Sequence, residues 1–385
     1  MSRKTIAVLG STGSIGRQTL DVLRACPELG RVGVLCAHGN VELLLAQVRE
    51  FHPEFVGIAE EAAAKTVRPY LPEGVRLEAG PQAAAILAAL PEIDTVVNGI
   101  SGFAGTEPLL AALNAGKTVA LANKESIVCA HKLVDQALVH GGRILPVDSE
   151  QSALFQCLCG GTHGEVARLW LTASGGPFRT ASMEKLRVVT AQDALRHPTW
   201  SMGAKITIDS ATLFNKGLEI MEASYLFGIE GARISVLVHP ESIVHSMVEF
   251  CDASILAQLA RPDMRLAIHY ALSWPERMPA QFGALNLAEV GKLTFEAPDA
   301  ERFPSIPLAY EALAEGEVLP IAYNAANEAA VARFRKGEIG FFDIFCAVEY
   351  AMAHVTRAEI RTFADILETD REARSLAEKA MEKKN

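Results

Sequence analysis

Ile6-Ala-Val-Leu-Gly-Ser-Thr-Gly-Ser-Ile-Gly16 places an apolar strand pattern directly before three glycines spaced three residues apart. Helical periodicity begins at Ile15, so the glycine loop stands between a predicted strand and a predicted helix. Glycines permit a tight turn and let backbone N–H groups approach a pyrophosphate, which also meets the positive end of the helix dipole. The spacing is a variant of the usual dinucleotide-binding fingerprint. A glycine turn that only packs a helix against a strand is the alternative.

The alternation that begins at this loop continues to residue 149. Short β-branched runs alternate with longer helical patterns, which is typical of crossover units in a parallel sheet. The predicted strands cover residues 6–9, 32–35, 56–58, 95–97, 118–121 and 144–147. The predicted helices cover residues 15–26, 41–51, 82–90, 108–115 and 124–139. The fold class is therefore α/β, with an N-terminal doubly wound, Rossmann-type parallel sheet.

The pattern changes after Asp148. A second sheet is predicted from segments that start near Leu169 and continue at 233–238, 242–250 and 254–259. Between them lies an irregular stretch rich in glycine, proline and serine, as is common in lids and binding loops. The C-terminal part is largely helical. We predict an N-terminal dinucleotide-binding domain (1–149), a central α+β catalytic domain (150–274) with a mobile lid loop (174–204), a linker (275–304) and a C-terminal helical domain (305–385).

Composition restricts the class of protein. The 385 residues carry 36 Lys and Arg against 46 Asp and Glu, a net charge of −10, whereas general nucleic-acid binders need a basic surface. Half of the residues are hydrophobic and 21% are charged, a balance that excludes a disordered chain. No apolar run reaches the roughly 18 residues of a membrane span. Neither a signal nor a transit peptide is visible and the seven cysteines are scattered, so we expect a cytoplasmic protein with reduced thiols.

The end of the second predicted strand bears on the choice of nicotinamide cofactor. An acidic side chain at that point binds the ribose 2′-hydroxyl of NAD. The run Cys36-Ala-His-Gly-Asn40 contains no carboxylate, so NADP is favoured over NAD. His38 and Asn40 are candidates to contact the 2′-phosphate, and a solvated loop histidine is the alternative for His38.

Two carboxylates follow the last predicted strand of the parallel domain, in Asp148-Ser149-Glu150. In an extended chain residues i and i+2 point the same way, so both carboxylates would converge on the edge where open α/β sheets bind ligands. Hard oxygen ligands suit Mg²⁺ or Mn²⁺ better than zinc. Taken alone, the same residues would also serve as a helix N-cap.

Another polar cluster lies within residues 209–222. If the chain is helical from about residue 212, Asn215, Glu219 and Glu222 share one face. Lys216 lies three residues before Glu219. The face therefore offers a metal carboxylate beside a phosphate-binding lysine, although Lys–Glu pairs are also common on solvated helices.

Nine polar strings, in order from the first strand to about residue 335, carry a resemblance to a known family. The strings are Gly10-Ser-Thr-Gly-Ser-Ile-Gly16, Leu121-Ala-Asn-Lys-Glu-Ser126, Leu145-Pro-Val-Asp-Ser-Glu150, Ser174-Gly-Gly-Pro-Phe178, His197-Pro-Thr-Trp-Ser-Met-Gly203, Asp209-Ser-Ala-Thr212, Asn215-Lys-Gly-Leu-Glu219, His239-Pro-Glu-Ser242 and Asn324-Ala-Ala-Asn-Glu328. With these strings the chain resembles the 1-deoxy-D-xylulose 5-phosphate reductoisomerases. Chance agreement across so many uncommon strings is implausible.

The resemblance implies a reaction, its cofactors and its residues. The family rearranges the carbon skeleton of 1-deoxy-D-xylulose 5-phosphate and reduces the product with NADPH, which yields 2-C-methyl-D-erythritol 4-phosphate for isoprenoids by the non-mevalonate route. The implied ligands of a divalent metal (Mg²⁺, Mn²⁺ or Co²⁺) are Asp148, Glu150 and Glu219. The implied catalytic residues are Lys124, Asp148, Glu150, Glu219 and His197. The implied substrate-binding residues are Lys124, Ser149, Glu150, Ser174, His197, Trp200, Ser210, Asn215, Lys216 and Glu219. The implied cofactor-binding residues are Thr12, Gly13, Ser14, Ile15, His38, Gly39, Asn40, Asn123, Glu125 and Gly203. The family is homodimeric, which implies a homodimer without nucleic-acid or membrane partners.

One departure from the family pattern concerns the 2′-phosphate. The family places a glycine and often a lysine after the alanine of strand two, where this chain has His38 and Gly39.

Two other functions are alternatives. A Rossmann dehydrogenase for an amino-acid semialdehyde would share the glycine turn and an Ala-Asn-Lys string but needs no metal carboxylates. A non-catalytic nucleotide-sensing regulator would need a basic nucleic-acid-reading module, and none is evident.

Overall fold

The computed structural model describes residues 3–196, 199–200 and 202–382. The described residues form two compact units, which we name unit 1 and unit 2. Unit 1 comprises the described residues up to 126 together with 131–152 and 263–283. Unit 2 comprises residues 127–130 and the described residues of 153–262 and 284–385.

Unit 1 contains a fully parallel sheet with the strand order β4-β3-β2-β1-β5-β6-β7. Its strands are β1 (Thr5–Leu9), β2 (Arg31–Ala37), β3 (Phe55–Ile58), β4 (Arg76–Ala79), β5 (Thr95–Asn98), β6 (Thr118–Leu121) and β7 (Arg143–Pro146). The order runs outward in both directions from β1, as in a doubly wound sheet. The predicted α/β class with an N-terminal Rossmann-type sheet is confirmed.

Helices follow most of the strands and form the C-terminal part of the chain. In chain order they are α1 (Ser14–Ala25), α2 (Val41–Phe51), α3 (Glu61–Val67), α4 (Ala83–Ala88), α5 (Thr106–Asn114), α6 (Lys124–Leu138), α7 (Ser149–Leu158), α8 (Met183–Leu186), α9 (Ala191–Ala194), α10 (Ala204–Ala211), α11 (Phe214–Phe227), α12 (Met264–Ser273), α13 (Leu287–Val290), α14 (Ser305–Glu315), α15 (Val318–Lys336), α16 (Phe341–His354) and α17 (Phe363–Glu382). Among the described residues, none of these helices combines the length and the apolarity that a bilayer crossing requires.

The strand register of unit 1 brings several polar loops to one edge. Leu9 pairs with Asn98, Asn98 with Leu121, and Leu121 with Pro146. The residues that follow these four strand ends therefore leave the sheet side by side at its carboxyl edge. All five residues of β1 are buried, so this edge rests on a rigid apolar core.

Unit 2 contains a four-stranded sheet with the order β11-β10-β8-β9. Its strands are β8 (Val166–Ala173), β9 (Ile234–Val238), β10 (Val244–Phe250) and β11 (Ile255–Leu259). β8 and β9 are parallel, whereas β10 is antiparallel to both β8 and β11. The predicted helical C-terminal region is confirmed, and its central helix α15 is buried from Val318 to Val331 except at the half-buried Glu328.

Two local predictions about helix starts need correction. Asp148-Ser-Glu150 is not extended, because α7 begins at Ser149 and the Ser152 N–H donates to the Asp148 carbonyl at 2.8 Å. Helix α7 therefore starts at these residues, and their assignment as metal ligands stays a prediction. The helix predicted from about residue 212 begins instead at Phe214, because Leu213 adopts a left-handed conformation (φ 57°) that ends α10.

Candidate active site

The glycine loop after β1 has no room for side chains at two of its positions. Gly10 has a φ of 73°, and a Cβ there would lie 2.8 Å from the Gly99 carbonyl oxygen. A Cβ at Gly16 would lie 2.3 Å from the Gly10 carbonyl oxygen, so α1 approaches the loop backbone directly. Gly13 is the N-cap of α1 without a side-chain capping bond, and the first turn carries no acidic residue. This helix N-terminus is therefore suited to an anionic group.

The predicted cofactor residues of this loop lie at the N-terminus of α1. Thr12, Ser14 and Ile15 are half-buried and Gly13 is exposed, at the loop and the first turn of α1. The loop is anchored from behind by Gln47, a buried residue of α2 whose amide donates to the Ser11 carbonyl at 2.9 Å. Sequence reasoning missed Gln47. An unexpected polar residue on the buried face of a predicted helix was the available signal.

The end of β2 carries a carboxylate contributed by the neighbouring strand. His38 and Asn40 are exposed, and the Asn40 side chain caps α2 by accepting a hydrogen bond from the Leu43 N–H at 3.2 Å. A Cβ at Gly39 would lie 2.3 Å from Glu60 Oε2. The run 36–40 itself has no carboxylate, but Glu60, which follows β3, supplies one at this edge. The sequence argument for NADP considered the residues of one strand only and did not include this neighbouring carboxylate. The buried Cys36 nearby is not a reactive thiol, since burial raises its pKa to about 12.

Asn123 organises the loop that follows β5. Its side-chain oxygen caps α6 by accepting from the Ser126 N–H at 2.8 Å, and its amide donates to the carbonyls of Ile100 (2.5 Å) and Gly102 (2.8 Å). The buried Asn98 donates to the Gly105 carbonyl at 2.9 Å and closes the same loop. The Asn123 amide thus holds this loop at the carboxyl edge of the sheet. Asn98 was also missed, although an asparagine at the end of an apolar strand and before two nearby glycines was a signal.

A buried lysine and a carboxylate meet at the carboxyl edge of the sheet. Lys124 follows β6 and Asp148 follows β7, and Lys124 Nζ lies 3.2 Å from Asp148 Oδ2. Their side chains are only 4% and 12% exposed, so the pair is shielded from water. Ser149 donates a hydrogen bond to the carboxylate of Glu150, and Glu125 is buried in the first turn of α6. Unit 1 therefore gathers cationic, hydroxyl and carboxylate groups at one edge.

In unit 2 the predicted phosphate residues come from three elements. Ser174 follows β8, and its hydroxyl accepts from the Gly176 N–H at 3.2 Å. Gly175 and Gly176 both have positive φ values (81° and 65°), and a Cβ at Gly176 would lie 2.6 Å from the Ser210 carbonyl oxygen. Glycine at this position therefore lets the Ser174 loop pack against the last turn of α10, which carries Ser210.

The third element is α11, which carries Asn215, Lys216 and Glu219. Lys216 and Glu219 are buried, and Lys216 Nζ donates both to the Glu219 carboxylate and to the Thr172 carbonyl on β8. Asn215 donates to the other oxygen of Glu219. The shared face predicted for this helix is present, and the ammonium offsets the charge of a carboxylate that is 0% exposed.

The segment predicted as a lid is described in part. His197 lies outside the described residues. The Trp200 ring lies 6.0 Å from the ring of His245, a buried residue of β10. Gly203 is the N-cap of α10, and no atom of the described residues lies within 4 Å of where its Cβ would be. The prediction that this segment is mobile stays a prediction.

Comparison with known proteins identifies the family. Family models described as 1-deoxy-D-xylulose 5-phosphate reductoisomerase, as its C-terminal domain and as the DXP reductoisomerase C-terminal domain match residues 6–131, 144–227 and 259–376. Proteins bearing the reductoisomerase name from Pelotomaculum thermopropionicum and Bacteroides fragilis are 49% and 47% identical over 384 and 379 residues, with 98% of each chain covered.

Two solved structures agree with this assignment over nearly the whole chain. The Zymomonas mobilis reductoisomerase in complex with NADPH superposes with a TM-score of 0.93 at 42% identity, covering 99% of this chain and 100% of that one. A reductoisomerase in complex with NADPH, fosmidomycin and magnesium gives a TM-score of 0.92 at 37% identity, with 98% of both chains covered. The chain therefore belongs to the 1-deoxy-D-xylulose 5-phosphate reductoisomerase family.

Proposed function

We propose that the protein converts 1-deoxy-D-xylulose 5-phosphate into 2-C-methyl-D-erythritol 4-phosphate with NADPH and a divalent metal, for isoprenoid synthesis by the non-mevalonate route. The observation that carries the proposal is the identity of 47–49% to named reductoisomerases across almost the entire chain. This similarity favours the reaction over a semialdehyde dehydrogenase or a nucleotide-sensing regulator, neither of which needs the carboxylates and the lysine-bearing helix described above.

We assign the metal to the carboxylates of Asp148, Glu150 and Glu219. The donor set consists of hard oxygens, which fits Mg²⁺, Mn²⁺ or Co²⁺ better than a thiophilic ion. When bound, the ion supplies Lewis-acid chemistry to neighbouring carbonyl and hydroxyl oxygens. Lys124 and Lys216 each lie beside one of these carboxylates, Asp148 and Glu219 respectively, and offset its charge.

We assign the substrate phosphate to Ser174, Ser210, Asn215 and Lys216. Hydroxyl, amide and ammonium donors suit phosphate oxygens, and the close approach of Gly176 to the Ser210 backbone, in the loop that follows Ser174, supports the assignment. A fixed phosphate keeps the two fragments of a rearranging carbon skeleton in register. Lys124 and Ser149 would contact the reacting oxygens, while His197 and Trp200 in residues 174–204 would close over the substrate and exclude water.

We assign NADPH to the edge of unit 1. The open N-terminus of α1, with Thr12 to Ile15, would hold the pyrophosphate, and the cofactor, when bound, supplies hydride to the aldehyde. His38, Gly39 and Asn40 would border the ribose, with Asn123, Glu125 and Gly203 completing the set. The domain roles predicted from sequence follow: nicotinamide binding in 1–149, metal and substrate binding in 150–274, a linker in 275–304 and support from 305–385.

We further propose that the protein is a homodimer of the cytoplasm. Strand β11 lies at the end of the unit 2 sheet, and Ile255 and Leu256 on it are 49% and 42% exposed. An apolar edge strand is a surface that natural proteins cover, and a second copy is the usual occupant in a twofold oligomer. Light scattering on the purified protein measures the oligomeric state directly.

The experiment that tests the reaction follows the NADPH absorbance after addition of 1-deoxy-D-xylulose 5-phosphate. We expect oxidation with Mg²⁺ or Mn²⁺ and none with EDTA. Replacing NADPH with NADH measures the cofactor selectivity. The result is informative because Glu60 lies beside Gly39 and because His38 and Gly39 stand where the family often has a lysine. A folded protein that binds NADPH but does not oxidise it under these conditions would contradict the proposal.

A further inference from the structure

Helix α15 carries an asparagine, Asn327, whose side chain hydrogen-bonds to helix α10. Asn327 is 0% exposed, and its amide donates to Asp209 Oδ1 at 2.9 Å. The second carboxylate oxygen of Asp209 lies 2.7 Å from Lys205 Nζ, on the same helix α10. Asp209 is 1% exposed, so this carboxylate depends on protein partners rather than on water. None of the roles assigned above uses Asn327, although it belongs to the string 324–328.

This contact fixes the end of α10. Asp209 directly precedes Ser210, and α10 ends two residues after Asp209, at Ala211, before the left-handed Leu213. A charge-assisted bond to a buried carboxylate holds the last turn of α10 against α15 with a defined register. A second hydrogen bond comes from helix α14. The Ser305 hydroxyl donates to the Thr212 carbonyl at 2.7 Å and secures the turn that follows α10.

Helix α15 also contacts α11, at Gly217 beside Lys216. Tyr323 lies one turn before Asn327, and its hydroxyl donates to the Ser305 carbonyl at 3.0 Å. A Cβ at Gly217 would lie 1.9 Å from this hydroxyl oxygen, so the phenol fills the space that glycine leaves. Burial, and to a lesser degree the charge of Asp209, raises the pKa of Tyr323 well above its ordinary value, which keeps the hydroxyl protonated.

We infer that α15 positions the phosphate site: Asn327 acts on Ser210 through Asp209, and Tyr323 acts on Lys216 through Gly217. Both are positioning residues, since neither is assigned a contact with the substrate. The inference rests on the proposed function, because it takes Ser210 and Lys216 as phosphate ligands. It adds a role for the C-terminal helical region, which holds two phosphate-binding helices in one arrangement.

The first experiment compares Asn327→Leu with Asn324→Leu. Asn324 lies on the same helix, is also 0% exposed, and donates to Glu328 of its own helix rather than to α10, so it is a matched control. We expect Asn327→Leu to raise KM for 1-deoxy-D-xylulose 5-phosphate about tenfold, with kcat and KM for NADPH within about threefold of the parent. The control should leave all three within about threefold. Equal KM values in the two variants would overturn the inference.

A double-substitution cycle separates positioning from general damage. If Asn327 acts through Ser210, Asn327→Leu should add less than about twofold to KM once Ser210→Ala is present. Independent, multiplying effects would overturn that link. Competition by inorganic phosphate gives a second readout, because a misplaced Ser210 should weaken it in Asn327→Leu and not in Asn324→Leu.

The contact at Gly217 gives a test that does not depend on Asn327 variants folding. Gly217→Ala should raise KM about tenfold because its methyl group meets the Tyr323 hydroxyl. Adding Tyr323→Phe removes that oxygen and should recover part of the loss, whereas no recovery would contradict the role of Tyr323. If the parent protein does not oxidise NADPH with this substrate, the proposed function fails. If it does and these variants behave like the controls, only the present inference fails.

Discussion

A buried lysine lies beside a carboxylate in each unit, but the two pairs are built differently. In unit 1 Lys124 and Asp148 follow neighbouring parallel strands and are 24 residues apart in the chain. In unit 2 Lys216 and Glu219 are three residues apart on α11. The first pair exists only when β6 and β7 are aligned, whereas the second needs a single helical turn.

The difference bears on how each lysine serves the proposed reaction. Lys124 is placed by the sheet edge, where open α/β sheets bind ligands, and there it faces the assigned catalytic carboxylate. Lys216 is placed by a helix that also carries Asn215, and its ammonium is tied to β8 through the Thr172 carbonyl. We therefore expect loss of the first lysine to affect turnover and loss of the second to affect substrate binding.

The largest effect is expected from Lys124→Met. Removing the ammonium at the sheet edge should lower kcat by about 10²- to 10³-fold, because stabilisation of developing charge is lost. NADPH binding, measured by its fluorescence, should be unchanged. Lys117→Met is the matched control, since Lys117 precedes β6 at the opposite edge of the sheet. A change confined to KM would show that the two lysines do not differ as described.

Lys216→Met should raise KM for the substrate by about 10- to 100-fold and change kcat much less. Loss of the ammonium also removes an ion pair from the buried Glu219, so the free energy of unfolding should fall by about 3 kcal/mol. Steady-state kinetics and urea unfolding measure the two quantities. Lys336→Met, at an exposed lysine of unit 2, provides the comparison. An unchanged KM would mean that Lys216 has a structural role only.

The smallest effect is expected at His269 of unit 1, a buried histidine that differs from the buried His239 of unit 2 in its hydrogen bonds. In unit 2 both ring nitrogens of His239 are bonded, to the Thr294 carbonyl (2.8 Å) and to the Ile243 and Val244 N–H groups (both 3.1 Å). In unit 1 His269 is 4% exposed, and its Nε2 has no hydrogen-bond partner among the described residues. Desolvation by burial lowers the pKa of His269 below its ordinary value of 6.5.

The sign of the resulting pH dependence follows from linkage. The unfolded chain takes up a proton at His269 near pH 6.5, whereas the folded chain does so only at lower pH. Its contribution to stability is thus complete above pH 6.5 and is lost as the pH falls through the folded-state pKa. Thermal unfolding midpoints between pH 5 and 8 should fall less steeply for His269→Gln than for the parent. If the unfolding midpoints of the variant and the parent fall equally with pH, His269 is not the cause of the pH dependence.

Most of the fold could be predicted from the sequence, and the exceptions have physical reasons. The buried strands have continuous apolar runs, which periodicity detects. Strand β4 was missed because it is a four-residue edge strand, Arg-Leu-Glu-Ala, with no buried residue. Helix α3 was missed because its alanines and charges show little amphipathic pattern. The break at Leu213 was missed because a leucine carries no signal for a left-handed conformation.

The candidate site was predictable where residues are close in sequence. The face that Asn215 shares with Glu219, with Lys216 three residues before Glu219, follows from helical spacing alone. The contact of Lys124 with Asp148 depends on strand order, and that of Asn327 with Asp209 joins residues 118 apart. Sequence patterns do not reveal contacts between residues that lie far apart in the chain. The Glu60 carboxylate beside Gly39 was missed for the same reason.

The approach of α1 to its glycine loop has a consequence for how the gene can change. Residue 16 is closed to every substitution, because even a methyl group would overlap the Gly10 carbonyl and the Ser11 backbone. At Gly164, by contrast, φ is not positive and no described atom lies within 4 Å of where a Cβ would be, so alanine fits there without rearrangement. In a library that samples every codon, position 16 should tolerate only synonymous changes, whereas position 164 should drift.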